Sequence, residues 1–512
     1  MKIFSAEQIK QIDEFTIANE PISSIDLMEG AAMACIKRII KLVNPEDELL
    51  LFCGKGNNGG DGLAIARLLL ERGFNCQTFV INYTDKFSAD AEINYNKLKE
   101  TYSSKLSEIN SLADLKEKIT SKSFIIIDAL LGTGINKAID GLLKETVTFI
   151  NANFTRVISI DVPSGLFIDE SSKGNESIIC SSLTLTFQFP KLAFLLPENK
   201  NYVPEFEVLD IGLSSKAIQD EFTNFYYLTK QDISSFLKPR NKFTHKGNYG
   251  HALLLAGSKG KSGAAIISSK ACLRSGAGLL TLHSNKSTVE GLLHQLPEGM
   301  SIEDTDEDHI SEIDKPENYD AIGFGPGVGI HEDTQIVLKK ILQYYTGKLI
   351  IDADGLNILS ENKTWLDFLP TETILTPHPK EFERLFGTYD NDFEKIKALK
   401  HISLKYNCII VLKGAHSAVA FPDGSIFFNS TGNAGLAKAG SGDALTGIIL
   451  GLLARGYTTP KATLIGLFVH GYAADMCIKK KSMESILISD VIEQLPKAFK
   501  NLENFIHLKK II

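Results

Sequence analysis

The sequence lacks the features that would take a chain out of water. No apolar stretch approaches the roughly 20 residues that span a bilayer, and patches such as LIGLFVHGYAAD are too short. Its first residues, MKIFSAEQIKQIDEF, have no basic segment followed by an apolar run, so no signal peptide is read there. A soluble, cytoplasmic protein is expected. The seven cysteines, Cys35, Cys53, Cys76, Cys180, Cys272, Cys408 and Cys477, are scattered without CxxC spacing, which argues against a zinc ribbon and a disulfide framework. Each reads as a small buried hydrophobe. Basic charge is also short. A formal net charge of -8 leaves no general attraction for phosphate backbones or anionic lipid, so neither nucleic acid nor membrane is an expected partner. There is no repeat of solenoid length and no low-complexity tract. The acidic run SIEDTDEDHISEIDKPEN, residues 301–318, reads as solvated surface rather than as a metal site.

What remains is an ordinary globular composition, 44% hydrophobic and 23% charged, over 512 residues. That is too long for a single core, and two or three domains are expected. In the first half, apolar runs (ELLLFCG, CQTFVIN, SFIIIDALLG, RVISIDVPSG, LTLTFQFP) alternate with helical patterns, the order that a parallel sheet covered on both faces produces. Before them, residues 5–41 carry helical periodicity and are expected to form a cover or an oligomer contact. Around residues 210–250 the chain turns polar, and the alternation then restarts with HALLLAGS, GLLTLHS, YDAIGFGPG, KLIIDADGL, TILTPHP, CIIVLKG and SAVAFPDG. Two α/β domains are therefore expected, 1–220 and 221–512.

In the first domain LLLFCGKGNNGGDGLAIARLL reads as strand, glycine-rich turn and helix. Glycines there let the backbone approach a ligand, and the helix N-terminus favours an anion. The GxGxxG match of Gly54, Gly56 and Gly59 is weak by itself, because the second strand ends without a well-placed acid. More telling is the polar string Asn57, Asn58, Gly59, Gly60, Asp61. Two further strands end in acids before small residues, Asp128 ahead of Gly132-Thr133-Gly134 and Asp161 ahead of Pro163-Ser164-Gly165. Singly, each acid reads as a cap or turn residue. On one sheet edge all three loops can converge.

GKGNNGGDG, DALLGTGI and DVPSG closely resemble the N-terminal domain of the NAD(P)H-hydrate epimerases, the YjeF-N fold, over about residues 1–215. The resemblance implies a Rossmann-like three-layer domain and, as substrate, NAD(P)HX, the cofactor with water added to its dihydronicotinamide ring. It further implies that Asn57, Asn58, Gly59, Gly60 and Asp61, with Gly132, Thr133, Gly134, Ile135, Asn136, Lys137 and Ala138, embrace this substrate and that Asp161 lies beside the reacting ring. Asn58, Asp128 and Ser164 would hold potassium. An amide, a carboxylate and a hydroxyl are hard oxygen donors suited to such an ion. Inverting the hydroxyl-bearing carbon needs proton transfer, for which Asp161 is the candidate acid/base.

In the second domain, Gly440, Ser441 and Gly442 precede a long apolar helix, so free N–H groups and the helix dipole define an oxyanion or phosphate site. Asp443 stands where it could take a proton from a hydroxyl attacking a phosphoryl group. With LAGSKGKSGAA, GFGPGVG, IDADGLNIL, TPHPKEFERL and VLKGAHSAV, this segment resembles the ADP- or ATP-dependent NAD(P)H-hydrate dehydratases, a ribokinase-like family, over about residues 228–505. By that resemblance Ala265, Gly327, His378 and Asp443 contact NAD(P)HX, while Lys413, Gly414, Ala415, His416, Ser417 and Gly442 bind ADP or ATP. Mg2+ would bridge the nucleotide phosphates, and Glu381 could help organise it through water. His416 and Ser417 depart from the family's nucleotide loop.

The reading is a bifunctional enzyme that epimerises R- and S-NAD(P)HX and dehydrates the S form, expected to self-associate. Two rivals remain at this stage. A ribokinase-like kinase of another small molecule would share the anion site and Asp443. A non-catalytic N-terminal binding module would not need Asn58, Asp128, Asp161 and Ser164 together.

Overall fold

The structure, a computed structural model, describes residues 1–119 and 123–511, with side chains as far as Phe505. The chain separates into two compact units. One holds Lys2–Thr223 and Asn391–Phe393; the other holds Asn224–Asp390 and Glu394–Ile512. No helix among the described residues is long and apolar enough to cross a membrane.

The first unit is built on seven parallel strands: β1 (Leu49–Cys53), β2 (Cys76–Ile81), β3 (Leu106–Ile109), β4 (Ile125–Ala129), β5 (Val157–Ile160), β6 (Leu183–Phe187) and β7 (Phe206–Leu209). They lie in the order β3-β2-β1-β4-β5-β6-β7. The order reverses between β1 and β4, the crevice at which an open α/β sheet receives a ligand. Strand β1 shows why three layers form. Leu49, Leu51 and Cys53 join one apolar cluster with the helices Ser24–Ile39 and Asn57–Glu71, whereas Leu50 and Phe52 join another with the helix Gly141–Asn153. A strand buried on both faces has no polar alternation, as its sequence indicated. The N-terminal segment forms the helices Ala6–Asn19 and Ser24–Ile39, each started by a serine that accepts a backbone N–H.

In the second unit the strands are β8 (Phe225–Tyr227), β9 (His251–Leu255), β10 (Leu279–Ser284), β11 (Met300–Glu303), β12 (Ala321–Phe324), β13 (Lys348–Ile351), β14 (Ile374–Leu375), β15 (Ile409–Leu412), β16 (Ala418–Ala420) and β17 (Ile426–Phe428). Their order is β8-β17-β16-β15-β14-β13-β12-β9-β10-β11. Pairing is parallel except where β16 runs antiparallel to β15 and β17. The helix Ser441–Ala454 is buried from Ala444 onward and shares a core with Ala252 and Leu254 of β9 and with the helices Ser262–Arg274 and Thr459–Cys477. A helix apolar all round belongs inside, and this one is enclosed by helices and sheet.

Candidate functional sites

Every acid singled out in the sequence lies at or just beyond the carboxyl end of a parallel strand or at a helix start. In the first unit Asp128 lies in β4 and Asp161 follows β5 directly, while Asn57 to Asp61 open a helix whose N-terminus has no side-chain cap. The glycines of this turn serve packing more than ligand approach. A Cβ at Gly54 would collide with the Leu130 carbonyl oxygen, and one at Gly59 with the carbonyl oxygen of Gly54 itself. They let the β1 turn press against the end of β4.

Asn58 is buried and donates from Nδ2 to the Ile160 carbonyl at 2.8 Å, which leaves its Oδ1 enclosed without a hydrogen bond. An unpaired buried carbonyl is costly, and here it points to a missing cationic or hydrogen-bonding partner. The Asp128 carboxylate accepts from Ser164 Oγ at 2.6 Å, Ser159 Oγ at 2.8 Å, the Ser164 N–H at 2.9 Å and the Leu130 N–H at 3.3 Å. Burial raises its pKa and these hydrogen bonds oppose the rise.

Asp161 adopts a left-handed backbone, φ 62°, a conformation that costs a non-glycine residue about 1–3 kcal/mol. Its Oδ1 accepts from Lys191 Nζ at 2.6 Å, the Phe187 N–H at 3.1 Å and Thr186 Oγ1 at 3.2 Å. Lys191 is 1% exposed and also donates to Thr186 Oγ1 at 2.7 Å. Two more acids feel this pair. Asp61 is buried and its pKa lies well above the usual carboxylate range, through burial and then the charges of Asp161 and Asp13. Asp13, from the N-terminal helix, is pushed up to about 7 by burial and by Asp161. Neither Lys191 nor Asp13 was singled out in the sequence. Lys191 follows a proline in FQFPKLAF, and Asp13 occupies one position of an amphipathic helix, so no local pattern marks them. In the remaining loop Gly134, Asn136, Lys137 and Ala138 are exposed, and Gly132, Thr133 and Ile135 are half-buried.

In the second unit Lys413, Gly414, Ala415, Ser417, Gly442 and His378 line a cavity of about 690 Å3 together with Ser441, whereas Ala265, Gly327, His416 and Asp443 are not among its lining residues. Gly440 has φ 92°, and the helix it precedes has no side-chain cap; the Ser441 N–H donates to the Lys438 carbonyl at 3.3 Å, which leaves the N–H groups of Gly442 and Asp443 open. Lys413 Nζ pairs with Asp352 Oδ1 at 2.9 Å, and Thr446 Oγ1 donates to Asp352 Oδ2 at 2.8 Å. Burial would raise Asp352, but Lys413 and these donors hold it below the usual carboxylate range. Burial would lower Lys413, yet Asp352 and Glu381 raise it. Asp443 has no such partner. Burial and the Asp352 charge push it up to about 6, with Lys413 opposing.

Other residues take less direct places. Ala265 is fully buried inside its helix. Gly327 has φ 67°, and its carbonyl accepts from Ser258 Oγ at 2.7 Å. His378 caps the helix Pro379–Phe386, its Nδ1 accepting from the N–H groups of Lys380 and Glu381 at 3.1 and 3.2 Å. Glu381 Oε2 accepts the His378 N–H at 2.8 Å and lies 4.0 Å from Lys413 Nζ. The His416 ring turns to the Asn429 carbonyl at 3.2 Å, and burial lowers its pKa. His470, in the segment VHGYAADM whose sequence reads as helix packing and a wall of the nucleotide pocket, lines the cavity with Nε2 buried and without a hydrogen bond among the described residues, its pKa pushed down to about 4 by burial and by Lys413.

A family described as NAD(P)H-hydrate dehydratase matches residues 252–497, and one described as YjeF-related protein N-terminus matches residues 24–193. A protein of Moorella thermoacetica, named bifunctional NAD(P)H-hydrate repair enzyme Nnr, is 31% identical across 98% of this chain and 97% of its own length. A Coxiella burnetii protein of the same name is 30% identical across 96% and 98%. Among solved structures, a Bacillus subtilis ADP/ATP-dependent NAD(P)H-hydrate dehydratase, co-crystallised with ATP and Mg2+, is 31% identical with a TM-score of 0.48, covering 55% of this chain and 100% of that one.

Proposed function

The chain belongs to the family of bifunctional NAD(P)H-hydrate repair enzymes, and from that premise we propose which residues carry each of its two reactions. The enzyme interconverts R- and S-NAD(P)HX and dehydrates the S form to NAD(P)H at the expense of ADP or ATP. Epimerisation is assigned to residues 1–220 and dehydration to residues 221–512.

In epimerisation Asp161 is the acid/base at the hydrated carbon. The observation that supports it is the direct Lys191 ion pair on a strained residue just past the carboxyl end of β5, one strand over from the switch point. Asp61, whose burial favours the protonated form, can donate to a leaving or returning hydroxyl. Asn57 to Asp61 and Gly132 to Ala138 frame the substrate. Potassium fits Asn58, Asp128 and Ser164 by their donor chemistry: Asn58 Oδ1 is a buried, unsatisfied hard donor, and Asp128 and Ser164 supply a carboxylate and a hydroxyl bonded to each other. That ion would supply fixed positive charge near the substrate.

In dehydration Asp443 takes the proton of the substrate hydroxyl as its oxygen attacks the terminal phosphoryl group. The leaving nucleotide is AMP from ADP or ADP from ATP. Phosphate then departs with the C–O bond electrons, and loss of a proton from the adjacent carbon restores the ring double bond. Hydroxide is a poor leaving group and phosphate a good one. The open N–H groups at the Gly440 to Gly442 turn stabilise developing charge. Lys413 and Gly442 hold phosphate, with Gly414, Ala415, His416 and Ser417 beside the nucleotide. Ala265, Gly327 and His378 belong to the NAD(P)HX side. Mg2+ fits as an ion carried chiefly by nucleotide phosphates, because the nearby carboxylates of Asp352 and Glu381 already have partners. The protein is read as a cytoplasmic homo-oligomer with no nucleic-acid or membrane partner.

The single observation that carries the dehydratase assignment is Asp443 at an uncapped helix N-terminus beside the Lys413–Asp352 pair. The test is to incubate the protein with mixed R- and S-NADPHX, Mg2+, K+ and either ADP or ATP, following reduced nicotinamide by absorbance. Fast recovery from S followed by sustained recovery from R is expected. No recovery with either nucleotide would sink the assignment and favour a kinase of another hydroxylated metabolite.

A further inference from the structure

The acidic run at residues 301–318 reads in the sequence as solvated surface, but one of its residues is turned toward partners outside the run. The His309 side chain is 14% exposed and faces His331 and Asp333, which start the helix Glu332–Tyr344. His309 Nδ1 lies 2.9 Å from Asp306 Oδ1, and its Nε2 lies 3.2 Å from Asp333 Oδ2. His331 Nδ1 stands 3.4 Å from the same Asp333 oxygen. The two rings overlap with centroids 3.8 Å apart, and one donor atom from each of the three residues falls within 4.8 Å of the others.

These distances carry a chemical implication. With Asp306 accepting the Nδ1 proton, a neutral His309 directs its Nε2 lone pair at a carboxylate oxygen. Two lone pairs at that separation repel unless a cation lies between them. Two donors on one tetrahedral ion, each about 2.0–2.1 Å from it, stand roughly 3.3–3.4 Å apart. The 3.2 and 3.4 Å separations match that edge.

We propose that His309, His331 and Asp333 form a binding site for a divalent transition cation of the zinc type, with Asp306 orienting His309 from behind. Two imidazoles and one carboxylate suit zinc, whereas Mg2+ prefers an all-oxygen octahedron. The site is thus chemically separate from the nucleotide's ion. Carboxylate support of a ligating imidazole is the usual arrangement behind a metal histidine. His331 and Asp333 are about half exposed, which leaves the fourth position to water. His331 Nδ1 also accepts the Asp333 N–H at 3.3 Å, a long bond that the ion would replace.

The location gives the ion something to hold. The loop bearing His309 is tied to the turn after β9, where the Lys259 N–H donates to the Asp308 carbonyl at 2.8 Å and Lys259 Nζ pairs with its carboxylate at 2.8 Å. His331 ends the loop that contains Gly327. A bound ion would pin these two segments together beside the proposed substrate position.

The test uses the full-length protein, stripped of metal and titrated calorimetrically with Zn2+ in excess Mg2+. Saturable binding is expected that is lost in the double variant His309→Ala/His331→Ala and weakened about 10–100-fold in Asp306→Asn. Cys180→Ser should leave it unchanged, since Cys180 is the exposed cysteine. Melting curves without zinc show whether a variant is folded; if the double variant is not, Asp306→Asn decides. Zinc uptake that survives in the folded double variant, or no uptake by the parent at neutral pH, would overturn the site. In the latter case a proton on His309, shared between Asp306 and Asp333, accounts for the geometry.

Discussion

Each unit pairs a lysine with an aspartate near its cleft, but the two pairs are placed differently. In the first, Lys191 binds the proposed acid/base itself, Asp161. In the second, Lys413 pairs with Asp352, and the proposed base Asp443 is pushed up to about 6 because burial and the Asp352 charge outweigh the opposing charge of Lys413. Backbone strain follows the same division. Asp161 carries its own left-handed φ of 62°, whereas at the second unit's lysine–aspartate pair a positive φ, 49°, falls on Ala353, next to the paired Asp352. A base fixed by a lysine is held in place for a reversible exchange on one carbon. A base left unpaired is free to accept a proton from a hydroxyl and meets it with a pKa near the working range.

The contrast can be broken most directly by removing the two acids. Asp443→Asn should lower dehydration about 10²–10⁴-fold and leave epimer exchange at the parental rate; Asp161→Asn should do the reverse. Both are read by following R and S separately, and loss of both activities from one substitution would refute the division of labour. Next in size is the lysine. Lys191→Met strands a buried carboxylate and should cost about 3–5 kcal/mol in denaturant unfolding of the first unit, with epimer exchange impaired and dehydration retained.

A smaller effect sharpens the contrast through pH. Because Asp443 must be ionised to act, kcat/KM for dehydration should fall as pH drops through about 6, approaching tenfold per unit below it. A profile flat to pH 5 would place the base elsewhere. The smallest effect concerns stability. Asp443 titrates near 3.8 unfolded and about 6 folded, so between those values the folded state binds more protons and stability falls as pH rises. Asp443→Asn removes that loss. It should melt above the parent at pH 7 and level with it at pH 4.

Much of this was legible in the sequence because central strands and their carboxyl ends are local features. Strands β1, β4 and β5 are buried throughout and read as largely apolar runs, and the acids near their carboxyl ends, Asp128 within β4 and Asp161 just after β5, mark the cleft. The edge strands β3 and β7 were not among the expected ones; LSEI and FEVL are short and half-solvated, and their pairing depends on a neighbour. The same holds for β8 and β11, whereas β17, buried between β8 and β16, is only three residues long. At the sites, Asn58, Asp128, Asp161 and Asp443 stood out through strand-end or helix-start position. Asp13, Lys191 and His470 did not, since each reaches its site from a helix or loop whose own pattern serves packing. Asp352 lay inside a recognised motif, but its bond to Lys413 joins two strand ends far apart in sequence.

The collision that any side chain would meet at Gly54 and Gly59 separates inheritance of shape from inheritance of chemistry. Selection for a folded first unit alone would keep both glycines, even after Asn58 and Asp161 had been released to drift. In a library of variants sorted for solubility without any catalytic demand, these two positions should remain almost invariant while the polar residues between and beyond them diversify. The glycine signature is therefore a record of architecture, and a descendant that had become a mere scaffold would still display it.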